Sequence, residues 1–376
     1  MSPIYLDYQA TTPLAPEAAA AMQPWLTDRF ANPHSSHRLG REAAATVELA
    51  RAQVAEALGQ GATEGSLYFT SGATEALNWA LKGALARLPQ HRRRIVTLAS
   101  EHAATLDTIE WLGRMGADVD ILPVGKDGLI DLTFAADRID ESTGIVAAML
   151  VNNEIGVIQP LAALGEIARA RGALLICDAV QGFGRVPVPV HACDMVAVSA
   201  HKVHGPKGIG ALWVREGVAL DPLLHGGGQE GGLRSGTLSP ALCAGFGAAA
   251  RLLVERQDQD PDHIARLALT ARQLMQAWLL NGSPHDRYAG NLNIRRAGVD
   301  AARLISEVRQ VAFSAGSACA SGSGRPSHVL RAIGLSDAEA RSSIRLGFGR
   351  YTSEEELVEA LTLINQAAER QLSLAA

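Results

Sequence analysis

Lys202 stands at the end of an apolar run, in Ser199-Ala200-His201-Lys202, and is followed by His204-Gly205-Pro206-Lys207-Gly208. A lysine ending a buried strand is costly if it serves packing alone, because loss of water disfavours the ammonium and lowers its pKa. The same depression yields the neutral amine that forms a Schiff base. An isolated lysine in such a place ordinarily snorkels to solvent, so a second group is needed before chemistry is assigned. Asp178 meets that need: it closes the preceding apolar run, ALLICDAVQ. A pyridoxal 5'-phosphate site requires a lysine for the imine and a carboxylate against the pyridine nitrogen, so that the protonated ring withdraws electrons. Gln181, three residues beyond Asp178, is positioned to donate to the phenolic oxygen of the same ring. Taken alone, Asp178 is a helix cap; the requirement of Lys202 for a partner favours the cofactor role.

The third requirement is a phosphate cradle. Thr70-Ser71-Gly72-Ala73-Thr74-Glu75 falls between an apolar run and a helical stretch, where free N–H groups and the positive end of the helix dipole favour an anion. Glycine permits close approach and Thr74 adds a hydroxyl, although Ser or Thr before an acidic residue is also an ordinary cap. Ser199 and His201, flanking the lysine, are candidates to close the cradle. No G-x-x-x-x-G-K-[ST] string occurs, so a nucleoside triphosphate site gains no support.

These groups need a scaffold that brings strand ends together. Apolar runs at Leu67–Thr70, Arg94–Ala99, Gly144–Val151, Ala173–Cys177, Met195–Ser199 and Ile209–Val214 alternate with helical stretches at Thr74–Leu88, Thr105–Arg114 and Leu161–Arg171. That rhythm predicts an α/β fold with a mainly parallel sheet flanked by helices, which binds ligands at the carboxyl ends of its strands. Leu39, Ala43, Val47, Ala50, Val54 and Leu58 are spaced by three or four and predict a helix over 39–58. The rhythm breaks near residue 215. Beyond a glycine-rich loop, HGGGQEGGLRSGT, helices are expected at Pro240–Arg256, His263–Leu280 and Ala301–Val311, with strands at Asn291–Ile294 and Ser343–Phe348. Thr352 or Ser353, each with Glu three residues later, opens a last helix. The expected organisation is a large domain over 16–256 and a smaller α+β C-terminal domain from 257–376 together with 1–15.

Composition excludes other classes. The 376 residues are 47% hydrophobic, enough for a large core, and 34 Lys+Arg against 39 Asp+Glu leave a net charge of −5, so no basic surplus suggests nucleic acid. Neither a membrane-length apolar run nor an export signal is visible, and a soluble cytoplasmic protein is expected. The four cysteines, Cys177, Cys193, Cys243 and Cys319, contain no C-x-x-C pair, which argues against a metal site or a disulfide framework. Cys177 and Cys243 are read as small buried hydrophobes, and Cys193 has no motif around it. Cys319 lies among small residues, GSACASGSG, a setting that predicts an accessible thiol.

The strings LDYQATT, SGATEA, SEHAATLDT, VNNEIG, DAVQ, SAHKVHGPKGIG, GGGQEGGLRSGT, SAGSACAS and SSIRLGFGR occur in this order. The chain resembles the cysteine desulfurases of the class V aminotransferases along nearly its whole length. The resemblance implies a fold-type I pyridoxal phosphate enzyme, usually a homodimer, that converts L-cysteine to L-alanine and keeps the sulfur as a persulfide. It makes Lys202 the imine-forming lysine, Asp178 the pyridinium partner, Gln181 the phenolate donor and His102 the ring-stacking group that exchanges protons. Ala73, Thr74, Ser199 and His201 match phosphate-binding positions, and Thr237 matches the residue that reaches the phosphate of the neighbouring subunit. Asn153 and Arg345 match the pair that holds the substrate carboxylate, a role suited to a planar guanidinium. Cys319 becomes the persulfide carrier, serving an acceptor protein such as an iron–sulfur scaffold, a tRNA-thiolation carrier or a biosynthetic sulfurtransferase. A selenocysteine or cystine lyase on the same fold and a catalytically silent sulfur-carrier scaffold are the rival readings. A shorter NGSPHDRYAGNLNI segment than in housekeeping members leaves the acceptor open.

Overall fold

The computed structural model describes residues 3–316 and 327–375. Cys319, the expected sulfur carrier, lies outside the described residues. In chain order the first half comprises strand β1 (Ile4–Tyr5), helices α1 (Pro16–Leu26) and α2 (Arg38–Leu58), β2 (Gly65–Thr70), α3 (Ala73–Arg87), β3 (Arg94–Leu98), α4 (Ala103–Arg114), β4 (Asp118–Leu122), α5 (Leu132–Arg138), β5 (Thr143–Met149), α6 (Leu161–Ala170), β6 (Leu174–Asp178), β7 (Met195–Ser199) and β8 (Gly210–Arg215). The rest comprises α7 (Pro240–Glu255), α8 (Gln259–Leu274), β9 (Leu279–Leu280), β10 (Asn291–Arg295), α9 (Ala301–Glu307), β11 (Val311–Ala312), β12 (Ser314–Ala315), α10 (His328–Ala332), α11 (Asp337–Arg341), β13 (Ser343–Gly347) and α12 (Glu354–Ala375).

Seven strands form one sheet in the order β2-β8-β7-β6-β5-β3-β4. Only β8 runs against its neighbours, so the expected mainly parallel α/β fold is observed. Every residue of β5, TGIVAAM, is buried, as a central strand covered on both faces requires. In α2 the stripe Ala43, Val47, Ala50, Val54 and Leu58 is buried. The carboxyl ends of β2, β3, β5, β6 and β7 deliver Thr70, Leu98, Met149, Asp178 and Ser199 to one edge of the sheet. A four-stranded sheet, β12-β13-β10-β9, carries Arg345 on β13, and β1 pairs in parallel with β11.

Some expected elements end differently. The helix placed over His263–Leu280 runs from Gln259 to Leu274, because Leu279–Leu280 instead supplies backbone partners to the edge of β10, opposite Ile294 and Arg295. The helix placed over Ala301–Val311 stops at Glu307, freeing Val311 to pair with Ile4. The last helix opens at Ser353, whose N–H and hydroxyl exchange bonds with the side chain and N–H of Glu356. Strand β4, DVDIL, and helices α1 and α5 carry no expectation from the sequence; β4 is a sheet edge whose aspartates face Arg94 and Arg138. Among the described residues no helix is long and apolar enough to cross a membrane.

Candidate active site

A cavity of about 590 Å³ opens at that edge of the sheet, lined among others by Thr74, His102, Asp178, Gln181, Lys202 and Arg345. Ala73, Asn153, Ser199 and His201 line it as well. Ten of the predicted site residues, spread from position 73 to 345, therefore meet around one hollow. Thr237 does not line it; its side chain is exposed on the glycine-rich loop of the same chain.

The β2–α3 turn brings the first turn of α3 to the cavity, with Ala73 as its first residue. Close approach explains the glycines here: a Cβ on Gly210 would lie 2.8 Å from the Cα of Gly72 and 2.6 Å from the carbonyl oxygen of Val198. Glu75 accepts from Ser71 N at 2.9 Å and from Arg234 Nε at 2.6 Å. Burial works against the Glu75 carboxylate, but Arg234 and Ser71 outweigh it and hold its pKa below the usual range. The turn is thereby tied to the glycine-rich loop.

His102 caps α4: its Nδ1 accepts from Ala104 N at 3.1 Å, which leaves Nε2 as the protonated nitrogen of the neutral ring. Asp178 is buried at the end of β6, and Oδ1 accepts from Val180 N at 2.9 Å. The side chain closes a local turn rather than capping a helix, since no helix begins directly after β6, and it lines the cavity at the same time. Burial raises the Asp178 pKa, opposed by the charges of His102 and Lys202. Gln181 Nε2 donates to Gln9 O at 2.8 Å, and its Oε1 accepts from Arg185 Nη1.

Lys202 Nζ donates to Gln9 O at 2.5 Å and Ala10 O at 2.8 Å. His201 Nδ1 lies 3.1 Å from Thr11 Oγ1. Burial, then the charges of Lys202, Lys207 and Arg185, push the His201 imidazole down to about 4, so at neutral pH it is uncharged. The N-terminal segment LDYQATT accordingly forms one wall of the site.

Arg345 is a buried side chain, 2% exposed, rather than a surface ion pair. Nη2 donates to Asp7 Oδ1 at 2.7 Å and Nη1 to Asn153 O at 2.9 Å. Its Nε is buried and finds no hydrogen-bond acceptor among the described residues. Sequence reasoning assigned no role to Asp7, Gln9 or Arg185. The quoted string LDYQATT contains the first two, but their contacts are with residues far along the chain, Asp7 through its carboxylate and Gln9 through its backbone carbonyl, which leaves no spacing signal. Cys177 and Cys243 are buried as expected, Cys193 is buried too, and burial above all pushes the Cys243 thiol up to about 12.

The chain belongs to the class-V aminotransferases, whose family model matches residues 4–361. Within that family it falls among the cysteine desulfurases. Cysteine desulfurase IscS of Rickettsia bellii is 45% identical over 373 residues, covering 96% of this chain and 90% of the relative. Among solved structures, a NifS-like protein superposes with a TM-score of 0.90 at 31% identity, covering 97% of this chain and 98% of its own. The structure of SspA in complex with cysteine gives a TM-score of 0.83 at 35% identity, over 93% of this chain and 99% of that one.

Proposed function

We propose that this chain binds pyridoxal 5'-phosphate, converts L-cysteine to L-alanine and holds the sulfur on Cys319 as a persulfide for an acceptor protein. The observation that carries this reading is the meeting of Lys202, Asp178, Gln181 and His102 at adjacent strand ends around one cavity that Arg345 also lines. The donor set fits the cofactor: an amine, a buried carboxylate, an amide donor, an aromatic ring and a helix N-terminus are the groups its aldehyde, ring nitrogen, phenolic oxygen, ring face and phosphate require. When bound, the cofactor supplies an aldehyde that captures amines and a ring that withdraws electrons from the substrate α-carbon.

The chain's own residues do the rest. Lys202 would hold the cofactor aldehyde and carry the α-proton on Nζ, while Asp178 would keep a proton on the ring nitrogen and Gln181 would donate to the phenolic oxygen. His102 would face the ring and move a proton at Nε2. Ala73, Thr74, Ser199 and His201 would hold the phosphate, with uncharged His201 a hydrogen-bonding group there. Arg345 and Asn153 bind the substrate carboxylate. The Cys319 thiolate attacks the substrate sulfur: the new bond is S–S, the bond broken is C–S, and the products are alanine and a Cys319 persulfide. The fold supports residues 16–256 as the cofactor-binding unit and 1–15 with 257–376 as a second unit. A homodimer is supported by Thr237, exposed and away from its own chain's cavity. An iron–sulfur scaffold is the acceptor class we favour, in the cytoplasm.

Mass spectrometry after incubation with L-cysteine is expected to find one added sulfur on Cys319. Cys319→Ser is expected to retain the substrate-induced spectral change and to lose alanine formation by orders of magnitude, since a hydroxyl is harder to ionise and attacks sulfur poorly. Near-normal alanine formation in that variant would overturn the persulfide route and install the lyase reading.

A further inference from the structure

Arg185 follows Gln181 in the turn after β6 and is used by none of the roles above. It is partly buried, and among the described residues no carboxylate makes an ion pair with it; its guanidinium instead stacks 5.3 Å from the ring centre of Tyr288. A desolvated cation without a counter-ion is expensive and calls for a purpose. All of its polar contacts converge on the site. Nη1 donates to Gln181 Oε1 and to Gln181 O at 3.5 Å, and Nη2 donates to Lys202 O at 2.9 Å and Tyr8 O at 3.3 Å.

These contacts determine which way the Gln181 amide faces. A guanidinium only donates, so the Gln181 atom against it must be the oxygen. The carbonyl oxygen of Gln9 only accepts, so the atom 2.8 Å from it must be the nitrogen. One amide N–H is then used on Gln9 and one is left for the ring oxygen. The bond to Lys202 O meanwhile fixes the backbone of the lysine itself.

We propose that Arg185 is a positioning residue: it locks the Gln181 amide with its N–H groups toward the cofactor site, anchors the Lys202 backbone, and places an uncompensated positive charge behind the lysine. The proposal rests on the pyridoxal phosphate reading. Both the amide donor and the charge favour the anionic phenolic oxygen and disfavour a proton on the lysine–cofactor nitrogen. The groups facing that nitrogen are Asp178 and His102 across the cavity and His201 and Lys207 on its own loop. Behind Arg185 stand Tyr8, Tyr288 and His204, with Arg345 adding charge. Asp260, in the same recess, is engaged by Arg256 and Arg350.

The test is a pH titration of the visible absorption band of the holoenzyme. In Arg185→Gln the apparent pKa of that band is expected to rise by about one unit, a tenfold change in proton affinity. Gln181→Ala is expected to shift it in the same direction, and the double variant by clearly less than the sum, because the amide cannot be positioned twice. Arg185→Lys keeps the charge but cannot reach all four acceptors from one ammonium, so it is expected to shift the band by roughly half as much; it carries the test if the Gln variant does not fold. An unshifted band in Arg185→Lys and Arg185→Gln, or additive shifts in the double variant, overturns the proposal alone. A wild-type holoenzyme with no visible band overturns the cofactor reading and this proposal with it.

Discussion

Replacing Asp7 with Asn removes the one carboxylate that, among the described residues, forms an ion pair with Arg345. Removing one partner of a buried pair costs about 3–5 kcal/mol, most of it the penalty of a charge left buried. Two features reduce this. Asp7 keeps 18% of its side chain exposed, so water reaches it, and the Asn amide oxygen still accepts from Nη2. A loss of roughly 2 kcal/mol is therefore expected from the buried-pair range. At about 2.1 cal/mol/K per residue, a cooperative unit the size of the 376-residue chain has an unfolding entropy of roughly 0.8 kcal/mol/K, which converts that loss into a Tm lower by about 2–3 °C. Calorimetry of the wild-type and Asp7→Asn holoenzymes at pH 7 measures this directly. Because the variant leaves the guanidinium under-neutralised, saturating L-alanine is expected to raise Tm more in the variant than in the wild type. An unchanged or higher Tm in Asp7→Asn would refute the reasoning, since Arg345 would then need no anion from Asp7.

Lys202→Ala is expected to lose the covalent cofactor link and all turnover while retaining weak binding of the cofactor through the phosphate cradle; turnover at the wild-type rate would exclude Lys202 as the imine-forming residue. Burial first, then the charge of Arg350, pushes the His204 imidazole from 6.5 down to about 4. The unfolded chain then takes up a proton below pH 6.5 that the folded chain refuses until about pH 4, so stability is full above 6.5 and is lost as pH falls through that window. His201 acts with the same sign, and His204→Gln is expected to flatten the decline of Tm with falling pH; an unaltered slope contradicts this. Sedimentation at micromolar concentration is expected to show a dimer, with Thr237→Ala weakening cofactor retention; a fully active monomer would rule out composite sites.

The sequence made the central strands plain because five to seven consecutive buried residues, as in TGIVAAM, admit few other structures. Strand β4 stayed hidden because Asp118 and Asp120 give an edge strand the polarity of a loop. The pairs β1–β11 and β9–β10 hold only two residues each and leave no period to read. Lys202 and Asp178 were legible since a charge at the end of an apolar run is conspicuous. Asp7, Gln9 and Arg185 were not, because their parts are set by tertiary crossings: Gln9 acts through its backbone carbonyl, and Arg185 through the carbonyls it grips.

The contact between Asp7 and Arg345 joins residues 338 positions apart. During synthesis the LDYQATT segment emerges long before β13, the strand that carries its arginine. Nascent chain lacking residue 345 already holds β2 to β8, complete by Arg215, and the Gln9 and Ala10 carbonyls that meet Lys202, but it lacks the guanidinium that pairs with Asp7. Closure of the Asp7–Arg345 contact over so long a span is the slow event that follows. Completion of the Asp7–Arg345 side of the cavity is thus a later step of biogenesis than assembly of the strand ends around Lys202.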